Sequence, residues 1–440
     1  MTRLDPPKEV RDISAVLEAA GFETWCVGGA VRDALLGHPG LDWDLATAAT
    51  PEQVRGLFRR TVPVGVEHGT IGVLDRAGRM HEVTTFRRDV ETDGRHAVVA
   101  FGASLDDDLA RRDFTINAIA YSPSRDELRD PFDGRGDLAR GVVRAVGDPA
   151  QRMREDRLRA LRAIRFAARF GFRIHPATWR ALADSAPHLG RLSAERVKQE
   201  LEKTMEQVAR PGSALRLWRE SGALAVLAPA LGEVDDRWLD ALDCLPMPGP
   251  PGRPRRRLDR LAMLFLSLGG VAAERAARAL RFSNAESSWI GTMADRWERL
   301  GAAMSDRVAS GAVADGELRR WAAAAGRTRL APLLRLSGAL WAADRDAGCD
   351  APTTEQLRAV YRRAMRVAYR DAIEVGDLAI DGDNLRAAGI PPGPMIGRLL
   401  HQLLERVIDD PTSNDRATLL RLALDAYRRL TGEPPSDADR

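Results

Sequence analysis

Residues 24–37 read TWCVGGAVRDALLG. A short β-prone run, Thr24 to Val27, meets two glycines, and the residues after them carry helical spacing up to a stop at Gly37. The reading is strand, tight turn, helix. Glycines at 28 and 29 let the backbone approach a ligand closely, and free amides at the start of the new helix attract an anion such as a triphosphate. Arg32, on the first turn, adds positive charge. A Gly-Gly turn by itself is more often plain structure, so its meaning depends on its surroundings.

Outward from this unit, further short strand candidates are Trp43–Ala46, Gly69–Leu74, Met80–Thr85 and Ile116–Tyr121, each bounded by turn formers or charge. From Pro149 onward the pattern becomes apolar at helical spacing, as in Leu158, Leu161, Ile164, Phe166 and Ala168, with Gly171 as a stop. The expected class is therefore α+β, a small mixed sheet followed by an all-α remainder. Residues 247–257, MPGPPGRPRRR, read as an exposed basic loop. A long amphipathic helix is expected at about Met395–Ile408, and the tail GEPPSDADR after Thr431 reads as disordered.

Three more constellations bear chemistry. In Asp42-Trp43-Asp44 the period of two sends both carboxylates to one face of a strand. Neighbouring acids repel unless a cation lies between them, and hard oxygen ligands suit magnesium. Glu82, in another strand candidate, is expected to complete that site. The run from Arg111 to Ala118 opens with two arginines: an arginine beside a triphosphate would neutralise its charge, while Asp113 would orient that arginine or accept a ribose hydroxyl. Glu155–Phe166 reads as one helix with Asp156, Arg159, Arg162 and Arg165 along one edge. A carboxylate accepts from the exocyclic amine shared by cytosine and adenine, and an arginine donates to the ring; guanine and uracil present the wrong pattern. Each element alone also reads as a solvated loop or an ion-pair row.

At 440 residues, with 44% hydrophobic and 29% charged residues, the chain fits a multidomain globular protein. The longest apolar runs are too short to span a bilayer, and the N-terminus lacks a secretory pattern, so a cytoplasmic protein without membrane contact is expected. Cys26, Cys244 and Cys349 exclude a disulfide framework or a cysteine zinc site and read as buried or semi-buried thiols. The net charge of +3 is modest, yet almost all the positive charge is arginine.

Taken together and in order, these motifs resemble the class II tRNA nucleotidyltransferases and the related bacterial poly(A) polymerases, of the DNA polymerase β nucleotidyltransferase superfamily. The resemblance rests on Gly28–Asp33, Asp42 with Asp44, Gly69-Thr70, Glu82–Arg87, Arg111–Ala118, Asp130–Gly134 and Glu155-Asp156-x-x-Arg159. It implies a nucleotidyltransferase head at 1–141, a base-recognising neck at 142–205, a body at 206–330 and a tail at 331–440 that grips the tRNA elbow. It further implies CCA addition to tRNA from CTP and ATP with two magnesium ions. Asp42, Asp44 and Glu82 would be catalytic, the first two as metal ligands. Gly28, Gly29, Arg32, Arg112 and Asp113 would bind the nucleotide, with Asp156, Arg159, Arg162 and Arg165 at the base.

Partners would be the tRNA acceptor stem and elbow, with the chain a monomer or a dimer. Rival readings are a CC-adding or A-adding enzyme, a poly(A) polymerase, and an inactive tRNA-binding protein. TVPVGVEHGT at 61–70 looks like the tRNA-specific group, and the loop at 87–105 is slightly shorter than in CCA-adding relatives.

Overall fold

The computed structural model describes residues 4–38, 42–66, 69–92, 97–247 and 255–431. They divide into two compact units, one ending at Gly232 and the other starting at Glu233. The strands of the first unit are β1 (Thr24–Val27), β2 (Asp44–Thr47), β3 (Thr61–Gly65), β4 (Thr70–Leu74), β5 (Met80–Thr85), β6 (Arg87–Thr92), β7 (Ala97–Phe101), β8 (Ala120–Ser122), β9 (Glu127–Arg129), β10 (Val142–Val143) and β11 (Arg173–Ile174). Its helices include α1 (Lys8–Ala19), α2 (Gly29–Leu35), α3 (Pro51–Leu57), α4 (Leu105–Ala110), α5 (Gly134–Arg140), α6 (Pro149–Glu155), α7 (Leu158–Phe170), α8 (Pro176–Ser185) and α9 (Ala194–Gln207).

Seven strands form one sheet in the order β3-β4-β5-β2-β1-β8-β9. It is mixed, as expected: β2 and β5 run parallel, and the other neighbours are antiparallel. The sheet holds because its central strands are apolar on both faces. Trp25, Val27, Ala46, Phe86, Leu109, Ala118 and Ala120 share one buried cluster, and burial of such side chains is worth roughly 1.5 to 3 kcal/mol for each large one. The chain leaves β1 through Gly28, whose φ of +77° only glycine adopts freely, and enters α2 directly. Gly171, at φ +69°, closes α7 at the expected place.

The structure departs from the sequence reading at several points. Ile116 belongs to a 3-10 turn, Thr115–Asn117, and only Ala120–Ser122 joins the sheet. Asn117 explains the turn, because its side chain donates to Asp113 at 2.8 Å while its amide donates to the Phe114 carbonyl. Glu155–Phe166 is two helices, since Asp156 takes an extended conformation (φ −147°, ψ 105°) and its Oδ1 accepts the Leu158 amide at 3.0 Å. Much of 87–105, read as a loop, is the ladder β6–β7, and residues 93–96 within it lie outside the described residues.

The second unit is helical throughout its described residues. Trp321, Leu333, Leu334, Trp341, Val360 and Val367 form one core, and Leu385, Leu399, Leu403, Val407 and Leu419 another. The helix expected at 395–408 runs Pro394–Asp409. Residues 248–254 of the proposed basic loop lie outside the described residues, as does the tail after Thr431. Arg255–Arg257 open a helix, with Arg257 donating to Glu286 at 2.7 Å. Cys26 is buried as expected, but Cys244 and Cys349 are exposed thiols. No helix among the described residues is long and apolar enough to cross a membrane.

Candidate active site

A cleft of about 800 Å³ opens in the first unit, and every site residue named from the sequence lines it: Gly28, Gly29, Arg32, Asp42, Asp44, Glu82, Arg112, Asp113, Asp156, Arg159, Arg162 and Arg165. Strand register brings the acids together. β1 pairs Val27 with Asp44, which puts the glycine turn next to that carboxylate. β2 pairs Leu45 with Val83, so the preceding residues, Asp44 and Glu82, are neighbours on adjacent strands. Asp42 sits just before β2, with Trp43 between the two aspartates turned into the core.

Burial, and then the negative charges of Glu82 and Asp42, push the Asp44 carboxyl up to about 6, against the opposing pull of Arg112. A divalent cation would remove that repulsion, and the donors are all hard oxygens, so Asp42 and Asp44 fit magnesium. Among the described residues, no group of three or more acidic, histidine or cysteine side chains forms a ready metal cage. Glu82, expected to complete one, shares the cleft without closing a three-ligand cluster. A cation held by two carboxylates keeps positions for water and substrate oxygens.

Arginines line the same cleft, and Arg112 acts on Asp44 directly. Arg112 donates through Nη2 to Asp108 at 3.0 Å, and its buried Nε has no acceptor among the described residues. Its Nη1 lies over the glycine turn, where a Cβ on Gly28 would stand 3.2 Å away. Arg32 is buried and committed: it donates to Asp33 and, at 2.5 Å, to Asn117, and its guanidinium lies 4.9 and 4.8 Å from the ring centres of Phe166 and Phe170. Asp113 does not orient Arg112. Its Oδ2 takes both Nε and Nη2 of Arg162, at 2.8 and 2.6 Å, while Oδ1 takes the Phe114 amide and Asn117. Burial alone would raise the Asp113 carboxyl, but Arg162 and Asn117 outweigh it and hold it below the usual range.

The row of Asp156, Arg159, Arg162 and Arg165 is likewise cross-braced. Arg159 donates to Glu155 at 2.9 Å and to the carbonyls of Arg152 and Arg111 at 3.1 and 3.0 Å. Arg165 donates to buried Glu200 at 2.7 Å and to Gln207 at 3.1 Å. Asp156 lies ahead of α7 rather than on it, and Arg196 of α9 reaches back to its carboxylate. Arg196, Asn117, Phe166, Arg169, Lys203 and Gln207 are lining residues the sequence reading missed. A lone arginine in the first turn of a helix forty positions downstream carries no signal of its own.

A head domain of poly(A) polymerases matches residues 24–144, a probable RNA-binding segment of such polymerases matches 171–234, and a tRNA nucleotidyltransferase domain matches 338–423. A CCA-adding enzyme of Limosilactobacillus fermentum is 34% identical over 432 residues, spanning 94% of this chain and 95% of its own. The chain belongs to the CCA-adding enzyme family. A Leuconostoc mesenteroides CCA-adding enzyme reaches 48% identity over 204 residues, 45% of this chain and 50% of its own. Among solved structures, a CCA-adding enzyme of Bacillus stearothermophilus in complex with CTP superposes with a TM-score of 0.78 at 30% identity, over 98% of this chain and 100% of that one. The nucleotidyltransferases to which the CCA-adding enzymes belong use divalent metals, and the acid pair has donor chemistry to match.

Proposed function

We propose that this chain adds C, C and A in turn to the 3′ end of tRNA, taking CTP and ATP and releasing pyrophosphate, without a nucleic-acid template. The observation that carries the reading is one cleft holding both an acid pair suited to magnesium and an aspartate–arginine pair suited to a base. Near-full-length kinship with curated CCA-adding enzymes supports it.

Asp42 and Asp44 would hold magnesium, which when bound activates the attacking ribose hydroxyl and neutralises charge on the phosphates. The chain's own groups supply position. Amides of the Gly28-Gly29 turn and Arg112 take the triphosphate, with Arg32 contributing field rather than a free donor. Asp113 sets Arg162, and Arg165 is set by Glu200, so the cationic wall is rigid before substrate arrives. Asp156 and Arg159 present one acceptor and one donor, which match the amine and ring of cytosine or adenine and repel uracil and guanine.

Residues 1–141 would serve catalysis and 142–205 base reading, with 206–330 a helical body and 331–440 a tail at the tRNA elbow. The exposed arginines 358, 362, 366 and 370 recur every four positions on the helix Thr354–Arg370, a row suited to backbone phosphates. Such an enzyme meets its tRNA in the cytoplasm. The test is Asp42→Ala and Asp44→Ala: C and A incorporation should fall together while tRNA binding and folding persist. Loss of one nucleotide alone would contradict a single shared site.

A further inference from the structure

Asp156 is not free to choose its own orientation. The same nitrogen, Nη2 of Arg196, donates to Oδ1 at 3.0 Å and to Oδ2 at 2.9 Å, and the Leu158 amide is a second donor, to Oδ1 at 3.0 Å. Arg196 stands in the first turn of α9, where Ser193 caps the helix and accepts its amide, so its root is fixed independently of α7. Both side chains remain about 30% exposed, which leaves the clamped carboxylate open to the cleft. Oδ2 has Arg196 as its one donor among the described residues, so it keeps an acceptor position for a ligand.

We propose that Arg196 is a positioning residue for base selection: it holds Asp156 as a fixed acceptor, so that the carboxylate cannot turn away from a base that offers a carbonyl. The inference rests on the reading of Asp156 as a base-contacting residue. Cytosine and adenine bring an amine to that acceptor, whereas uracil and guanine bring a carbonyl oxygen. A carboxylate held from two sides must meet that oxygen acceptor to acceptor, and the mismatch is felt in full. Released from Arg196, the same group can rotate, or admit a water between itself and the carbonyl, and the penalty shrinks. Discrimination is lost before catalysis is.

The experiment compares kcat/KM for CTP and UTP on tRNA lacking CCA in Asp156→Ala, Arg196→Ala, Arg196→Lys and the double variant Asp156→Ala with Arg196→Ala. All are assayed at matched folded concentration. Removing one hydrogen-bonding partner is worth roughly a factor of ten in selectivity, so Arg196→Ala should lower the CTP to UTP ratio by about that much. Arg196→Lys should recover part of it, and the double variant should be no less selective than Asp156→Ala. A brace for the neck would lower both rates alike with the ratio unchanged.

An unchanged ratio in Arg196→Ala beside a lowered one in Asp156→Ala overturns the role of Arg196 and leaves base reading intact. An unchanged ratio in Asp156→Ala overturns base reading itself, and this proposal with it. A double variant less selective than either single one would mean that Arg196 acts apart from Asp156, which also overturns the proposal.

Discussion

Arg162 grips a single oxygen of Asp113 with two donors, Nε at 2.8 Å and Nη2 at 2.6 Å, across a gap of forty-nine residues in sequence. This pair joins α7 to the turn that follows the double arginine, and so ties that helix to the sheet of the first unit. Because Asp113 is buried, loss of its partner leaves a charge without its counter-ion. Arg162→Ala should cost about 3 kcal/mol, whereas Asp113→Asn combined with Arg162→Gln should recover more than half of that. Urea unfolding midpoints measure both; strictly additive losses would mean that the two groups are uncoupled.

Asp44 makes the site sensitive to pH in a definite direction. Its carboxyl titrates near 6, above the ordinary 3.8, so the folded state binds a proton the unfolded chain has already released. Between those values this group's contribution to the stability of the metal-free protein falls as pH rises, by at most roughly 3 kcal/mol. Asp44→Asn should therefore raise the melting temperature of the metal-free enzyme at pH 8 while abolishing transfer. In the native enzyme a metal must displace that proton, so affinity for magnesium or manganese should drop about tenfold per pH unit below 6. Calorimetric titration at pH 5 and 7 checks it, and equal affinities would count against Asp44 as a ligand.

How much of this was legible depended on whether a local pattern was enough. β1 and β5 fall at the limits that their apolar runs and flanking turn residues suggested, and the acids, glycines and arginines named from motif spacing share one cleft. The break at Asp156 was not legible, because apolar spacing runs on from Leu158 and gives no sign that the Asp156 carboxylate will take the Leu158 amide. Arg196 and Asn117 were missed for another reason. Their partners, Asp156 and Arg32, are forty and eighty-five positions away, and only the folded chain brings them together. The strand β3 escaped because its Val62, Pro63 and Val64 lie exposed on a sheet edge, without the alternation that marks a half-buried strand.

The arginine row on Thr354–Arg370 predicts a particular salt dependence. All four are exposed, but Arg366 shares Asp315 with Arg363, at 3.2 and 2.6 Å, whereas Arg358, Arg362 and Arg370 make no ion pair among the described residues. Each phosphate contact contributes roughly 0.7 to 0.9 to the slope of log affinity against log salt. Arg358→Ala, Arg362→Ala and Arg370→Ala together should flatten that slope for tRNA by about 2, with Arg366→Ala having the smaller effect of a partly neutralised charge. Binding measured at several salt concentrations decides it, and an unchanged slope would remove the row from the RNA interface.

One cleft, with protein side chains as its template, should build C, C and A in order. Sequencing tRNA 3′ ends after incubation with CTP alone, ATP alone or both, starting from tRNA that lacks CCA, decides it. The ends should stop at CC with CTP alone, show no extension with ATP alone, and reach CCA and arrest there with both. Oligoadenylate tails in ATP alone, or arrest at CC when both nucleotides are present, would contradict it.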